Sequence, residues 1–345
     1  MVSMKNIARS CGVSIATVSK ALNGHSDISE KTRTLIEHKA KELGYFPNSS
    51  ARALRTNKTY NLGVLFNDAA NQGLAHDYFT NIINSFKVVA EEKGYDITFL
   101  NGKINKFRMS YLEHSRYRGF EGIVIACIDF EDSRVQELLS SDLPVVTIDY
   151  QFENRVAIMS NNEDGMRDLV NYVCGQGHRK IAYIHGEDSL VTRKRLKSFY
   201  ETLANKGIVV IEEYVKEAAY RDAVTAGELT RKLLLSSEPP TCIIYPDDFS
   251  AIGGMNVIRE MGLKIPEEVS VAGYDGIVIA SQLEPELTTI KQDTKMIGAQ
   301  AAKKLIELIE KSSDSSEVIH VEGSLVCGRS VGKVTDQEYK CVKMP

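Results

Sequence analysis

The sequence predicts an α/β protein: a small helix-turn-helix head at the N-terminal end, followed by a large two-lobe body of doubly wound parallel sheets. Three observations carry this reading. The first 58 residues read as short, well-capped helices without a strand. From residue 61 onward, short apolar runs alternate with amphipathic stretches, the grammar of parallel strands flanked by helices. That β-α repetition occurs twice, which fits two similar lobes around a cleft better than one large sheet.

In the head, helices are expected at about 4–11, 15–22 and 30–43. Gly12 stops the first and Ser14 caps the second. Ser29 caps the third, which ends at Gly44 ahead of Pro47. Ala8, Gly12 and Val18 stand where a helix-turn-helix needs a small facing residue, a turn residue and a core plug. In the body, strands are expected at 61–67, 95–100, 122–128, 144–148, 180–185, 208–213, 241–245 and 269–274. The stretches 79–93, 163–176, 191–206, 249–262 and 294–311 read as helices.

Composition bounds the function. At 345 residues the chain exceeds one small core, and roughly 150 residues per domain gives two or three units. No apolar run approaches the roughly 20 residues of a membrane helix, and the opening Met-Val-Ser-Met-Lys-Asn has no hydrophobic signal core. A cytoplasmic protein with no membrane partner is expected. The six cysteines are scattered without a Cys-x-x-Cys pair, so neither a metal site nor a disulfide framework is expected. Charge is unevenly divided. Residues 1–58 hold ten Lys or Arg against four acids, a net +6; with −4 for the whole chain, the rest carries −10. A basic head on an acidic body suits a polyanion-binding module carried by a soluble sensor.

The segments Met-Lys-Asn-Ile-Ala-Arg-Ser-Cys-Gly-Val-Ser-Ile-Ala-Thr-Val-Ser-Lys-Ala-Leu-Asn (4–23), Ile-Ser-Glu-Lys-Thr-Arg (28–33), Gly-Tyr-Phe-Pro-Asn (44–48) and Ala-Arg-Ala-Leu-Arg-Thr (51–56) resemble the lactose-repressor (LacI/GalR) family. Gly-His-Arg-Lys-Ile-Ala-Tyr-Ile (177–184), Val-Ser-Val-Ala-Gly-Tyr-Asp (269–275) and Pro-Glu-Leu-Thr-Thr-Ile-Lys-Gln-Asp (285–293) extend the likeness over nearly the whole chain. The resemblance implies a transcription regulator, in the main a repressor, with a periplasmic-binding-protein-like body and chain crossovers near residues 161, 292 and 322. Its division would be a DNA-binding domain at 1–48 and a hinge at 49–60. Lobe 1 would comprise 61–161 and 293–321, lobe 2 would comprise 162–292 and 322–335, and a tail would occupy 336–345.

The same resemblance assigns roles. Ile15, Ala16 and Lys20 match base-reading positions at the start of a helix that enters the major groove. Lys20 can donate to guanine, whereas Ile15 and Ala16, where relatives often carry a polar pair, offer only apolar contact. Ser14, Thr17, Ser19, Asn23, Ser29 and Thr32 match phosphate-holding positions; for Ser14 and Ser29, helix capping is the competing role. Lys5, Ala51 and Arg52 complete the DNA set, with Leu54 as a minor-groove wedge. Residues 49–56 are too short to hold a helix alone, so they would fold against DNA and a twin. That implies a homodimer on a near-palindromic double-stranded operator. The tail after Ser330 shows no leucine heptad, which favours a dimer over a coiled-coil tetramer.

Ligands of doubly wound sheets lie at strand carboxyl ends, where Asp149, Asp247, Asp248 and Asp275 stand. With the fork of Arg195 and a flat wall from Tyr78 and Phe79, these suit a small carbohydrate. Tyr78, Phe79, Asp149, Arg195, Asp247 and Asp275 resemble family effector positions, and Asp248 reads as a helix cap. Asp247 replaces a customary Asn, and 73–79 departs from the common Asn-Pro-Phe-Phe, which adds His76 and Asp77 as candidates. An enzyme is disfavoured: the chain has no Gly-x-Gly-x-x-Gly, no phosphate loop and no nucleophile elbow, and no cofactor is expected. A secreted solute-binding protein would need an export signal and no basic head. The remaining alternative is a DNA-binding regulator without small-molecule control. The +6 head predicts that operator affinity falls by on the order of a thousandfold between about 50 and 200 mM salt, through counterion release. Equal DNA binding by residues 60–345 alone would remove the basis of this reading.

Overall fold

The computed structural model describes residues 2–46, 53, 58–67, 73–101, 103–104, 107–311 and 316–334. The chain divides into two compact units, Met1–Thr59 and Tyr60–Pro345.

The head packs α1 (Met4–Cys11), α2 (Ile15–Leu22) and α3 (Glu30–Glu42) around Ile7, Ala8, Val18, Ala21, Ile36 and Ala40, each at most 6% exposed. Its turns are set locally. Gly12 adopts φ 66° in open space, so glycine is required there for its left-handed backbone and not for room. Ser14 Oγ accepts from Thr17 N at 3.0 Å and Ser29 Oγ from Thr32 N at 3.2 Å, each satisfying an orphan donor of a first turn.

The body holds two parallel sheets. The larger has the order β13-β7-β6-β5-β1-β2, built from β1 (Asn61–Phe66), β2 (Asp96–Phe99), β5 (Gly122–Ala126), β6 (Val145–Ile148), β7 (Val156–Ser160) and β13 (Val318–Val321). Strands β5, β6 and β7 are buried along their whole length, as parallel strands covered on both faces must be. Helices α4 (Asp77–Glu92), α5 (Tyr111–Arg118), α6 (Ser133–Leu139) and α11 (Thr294–Lys311) complete this lobe. A short antiparallel pair, β3 (Lys103–Ile104) with β4 (Phe107–Arg108), lies between β2 and α5.

The smaller sheet, β11-β10-β8-β9, comprises β8 (Ile181–His185), β9 (Val215–Glu217), β10 (Cys242–Ile244) and β11 (Ser270–Ala272). It is covered by α7 (Asn162–Gly175), α8 (Leu190–Asn205), α9 (Ala223–Leu234) and α10 (Asp248–Glu260). Strands β12 (Thr289–Lys291) and β14 (Ser324–Val326) pair antiparallel. The chain passes between lobes three times: from β7 into α7, from β12 into α11, and from β13 into β14.

One expected strand is absent. Residues 208–213 do not join the ladder; Glu212–Tyr214 form a 3-10 turn, and β9 pairs with β8 only from Tyr183↔Val215 onward. The run Ile-Val-Val-Ile satisfies its apolar character in another way. Ile208 is buried in the lobe's core and Ile211 packs on a second cluster, while Val209 is 86% exposed. Elements not anticipated include β7, α5, α6, α9 and the β12/β14 pair.

Helices α4 and α11 approach so closely that a Cβ on Gly298 would lie 2.1 Å from the backbone oxygen of Ile82 and 2.9 Å from Phe86 N. Backbone cannot swing aside as a side chain can. Gly298→Ala should therefore destabilise the body by about 1–3 kcal/mol, seen as a lowered urea midpoint with unchanged slope.

Candidate functional sites

On α2, residues advance about 100° each, so Ile15, Ala16 and Lys20 share one face and Val18 and Ala21 the other. Val18 and Ala21 are buried in the head's core, which leaves Ile15 49% exposed and Ala16 and Lys20 in solvent. Lys20 Nζ is paired with Asp27, a half-exposed surface contact of the kind that exchanges readily. It holds the Asp27 carboxyl below its ordinary range. Lys5, Ser14, Asn23 and Ser29 are also exposed, and Thr17, Ser19 and Thr32 are partly so. Ser14 and Thr17 join hydroxyl to hydroxyl at 2.9 Å, and Ser29 and Thr32 at 2.8 Å, so capping and an outward-facing hydroxyl coexist at both helix starts. Ala51, Arg52 and Leu54 lie outside the described residues.

In the body, Arg195 sits on α8, 3% exposed. Its Nε donates to Asn162 Oδ1 at 2.7 Å, Nη1 donates to the Pro246 carbonyl at 2.9 Å, and Nη2 lies 3.8 Å from Asp275 Oδ1. The guanidinium carbon stands 3.5 Å above the Tyr274 ring centre. Burial opposes its charge, but Tyr220, Tyr274 and Asp275 outweigh burial and raise its pKa. Asp275 follows β11 with φ 98°, and its Oδ1 also accepts from Gln292 Nε2 at 2.6 Å. Burial pushes the Asp275 carboxyl up to about 6, with Arg195 pulling the other way.

Asp149 forms a separate knot in the other lobe. Its Oδ1 accepts from Ser160 N at 2.8 Å and its Oδ2 from the Tyr78 hydroxyl at 2.7 Å. Burial, then the Asp149 charge, keep Tyr78 a neutral phenol. Phe79 is half-buried on the lobe's core, edge-on to Tyr78 at 4.8 Å and to His76 at 4.9 Å. A cavity of about 330 Å³ opens between the lobes, lined by Tyr78 and Asn81 on one side and by Asp275, Thr289 and Gln292 on the other. Arg195, Asp149, Phe79 and Asp247 lie off its lining.

The cap of α10 is Asp247, not Asp248 as the sequence suggested. Asp247 carries the extended backbone of an N-cap and accepts from Ser250 N at 2.8 Å, Ser250 Oγ at 2.9 Å and Arg221 N at 2.8 Å. Asp248 points inward, fully buried, and accepts from Ile277 N at 2.8 Å and Thr289 Oγ1 at 2.6 Å, while burial drives its pKa well up.

Sequence reasoning missed Arg221. It precedes α9 with φ 61°, its side chain only 9% exposed, and it reaches the opposite lobe at Ala75 and Asp77. No motif marks it. Its signal is conformational: Cys127, Asp149, Arg221 and Asp275 are all non-glycine residues with positive φ in the loops that follow β5, β6, β9 and β11. Strained backbone of this kind concentrates at ligand clamps.

The raised pKa of Asp275 has a definite sign. Its folded value near 6 exceeds the ordinary 3.8, so this group favours folding most below pH 4, and that contribution is lost as pH rises through 6. Asp275→Asn does not titrate. Its stability relative to the parent should improve by up to about 3 kcal/mol between pH 4 and 7.5. A pH-independent difference in denaturant midpoints would contradict the assigned burial.

Residues 3–48 match the bacterial regulatory proteins of the lacI family, and residues 170–331 match the periplasmic binding protein-like domain. The probable HTH-type transcriptional repressor ExuR of Bacillus subtilis (strain 168) is 29% identical over 97% of this chain and 100% of its own length. The HTH-type transcriptional repressor PurR of Vibrio parahaemolyticus serotype O3:K6 is 28% identical over 97% of this chain and 100% of its own. Among solved structures, the lac repressor dimer bound to operator and the anti-inducer ONPF superposes with a TM-score of 0.82 at 26% identity, covering 96% of this chain and 99% of that one. No helix among the described residues is long and apolar enough to cross a membrane. Basic capped head, two-lobe body and full-length relatives agree: the chain is a member of the LacI family, a DNA-binding transcriptional repressor and not an enzyme.

Proposed function

We propose that a small effector of the sugar or sugar-derivative class binds between the two lobes and controls the affinity of a homodimer for a near-palindromic operator. One observation carries the effector reading: a buried arginine meets a strained, partly buried aspartate that lines an interlobe cavity of about 330 Å³, a volume in the range of small-ligand sites. Carboxylate acceptors and a planar fork are what vicinal hydroxyls need, and Tyr78 and Phe79 add an aromatic edge. Residues 61–161 with 293–321, and 162–292 with 322–335, serve as the two effector-binding lobes, and 49–60 as the hinge to the DNA-binding domain.

On the head, Lys20 is the base donor, Ile15 and Ala16 supply apolar contact, and Lys5, Ser14, Thr17, Ser19, Asn23, Ser29 and Thr32 hold phosphates. A ligand that contacts both lobes favours whichever lobe arrangement it fits, and operator affinity follows that population.

The test is a melting-temperature screen of the full chain against sugars, sugar acids and sugar phosphates, followed by operator binding with and without each hit. Arg195→Lys keeps the charge but loses the fork. It should weaken a hit's binding by about 1.5–3 kcal/mol while leaving ligand-free operator affinity within about twofold. If no compound stabilises the protein and operator affinity is indifferent to all of them, the alternative of a regulator without small-molecule control stands instead.

A further inference from the structure

The cavity between the lobes takes much of its wall from the 3-10 turn after Asp275 (Val278–Gln282) and from the β12/β14 pair. Its hydroxyl donors are mostly committed. The Tyr78 hydroxyl donates to Asp149 at 2.7 Å, Thr289 Oγ1 to Asp248 at 2.6 Å, and Ser281 Oγ to the Val278 carbonyl at 2.9 Å. Asn81, Thr294 and Lys291, the other donors of the lining, are exposed or partly so.

The acceptors of the wall are not committed in the same way. Asp275 Oδ1 accepts from Gln292 Nε2 at 2.6 Å and lies 3.8 Å from Arg195 Nη2, whereas Oδ2 has no donor among the described residues. That bond also orients Gln292, which is 6% exposed, because a flipped amide would set its oxygen against the Asp275 carboxylate. Gln292 Oε1 is thereby left buried without a donor. Glu286, on the same lining, is only partly exposed, and its carboxylate has no partner among the described residues. The other acids of the cleft differ: Asp149, Asp247 and Asp248 each accept from two or more donors. A buried acceptor without a donor is rare in a folded protein, and it costs free energy that an incoming donor recovers. Two carboxylates on one cavity also repel a negatively charged occupant. An ammonium group presents three N–H donors and no acceptor, and its charge offsets the desolvation of both carboxylates.

We infer that the effector carries a positively charged amino group, held by the acceptor wall of Asp275, Glu286 and Gln292. This rests on the effector reading above and narrows it to amino sugars, against neutral sugars and sugar acids.

Matched sets test it in the full-length protein at pH 7.0: glucose, glucosamine, N-acetylglucosamine and glucuronate, then the four galactose counterparts. Melting shifts and titration calorimetry supply the readouts. The amino sugar of one set should bind about ten- to a hundredfold tighter than its neutral parent, its N-acetyl derivative and its acid. The N-acetyl compound keeps an N–H but loses the charge, so it separates charge from hydrogen bonding. Glu286→Gln should remove most of that preference. Lys291→Gln, which takes a cation from the lining, should tighten amino-sugar binding several-fold, a gain that a damaged fold cannot produce. A neutral or acidic member bound as tightly as the amino sugar, or an amino-sugar preference unmoved by both substitutions, overturns the proposal and leaves the effector reading intact. Absence of binding by all eight compounds counts against both.

Discussion

A guanidinium without water must be surrounded by acceptors, and the body is organised around meeting that demand at Arg195. Four segments converge on it: α8 bears it, the start of α7 offers Asn162, the loop after β10 offers the Pro246 carbonyl, and the loop after β11 offers Tyr274 and Asp275. These segments are far apart in sequence, and each is the end of an element in the smaller sheet's layer. Removing one partner would leave a buried charge short of an acceptor, a larger cost than the net worth of the pair. The arrangement therefore fixes where those loops lie, and with them the floor of the cleft.

The rim is built at a further cost. Asp149, Arg221 and Asp275 adopt φ of 56°, 61° and 98°, values that glycine would accept freely. Each non-glycine residue held there costs of order 1–3 kcal/mol, and the side chain must be worth keeping. Asp149 uses its side chain to tie Tyr78 to the end of β7 through Ser160, whereas Asp275 turns its own toward Arg195 and Gln292. One is a structural knot and the other an electrostatic centre, although the sequence presents both simply as aspartates after a strand.

How far the sequence could be read depended on whether a feature is local. The head was legible almost to the residue because Gly12, Ser14 and Ser29 act within one helical turn. Long amphipathic helices such as α11 were legible for the same reason. Helix α5, Tyr-Leu-Glu-His-Ser-Arg-Tyr-Arg, has little apolar contrast and is fixed by a capping box of Ser110 and Glu113 that periodicity does not weigh. The run at 208–211 looked like a strand because burial and ladder pairing leave the same apolar signature. The cap of α10 was read one residue late, at Asp248, because one residue of phase decides which carboxylate caps and which turns inward. Arg221 was invisible, since the groups it reaches in the opposite lobe lie 146 and 144 residues away in sequence. The family resemblance supplied the lobe crossovers and site positions, which periodicity does not reach.

The electrostatic centre is also fastened to the passages between lobes. Asn162, the acceptor for Arg195 Nε, is the first residue of α7, immediately after the first crossover. Gln292, the donor to Asp275, follows β12 at the second. Asn161, beside Asn162, donates to Glu322 at the third, at 2.8 Å. Arg195 thus holds the first connecting segment by one side-chain hydrogen bond, Asp275 holds the second by its carboxylate and by backbone bonds to Ile290 and Gln292, and the third segment is reached through one more residue. Lobes joined by short connections move as rigid bodies about them, so the angle between lobes is set by the conformations of these few residues. In the proposed reading, a ligand that competes for the remaining donors of Arg195 or the remaining oxygen of Asp275 therefore acts on these interlobe segments through one intervening side chain. Coupling then needs no long pathway, because the groups that would recognise the ligand already hold the segments about which the lobes turn.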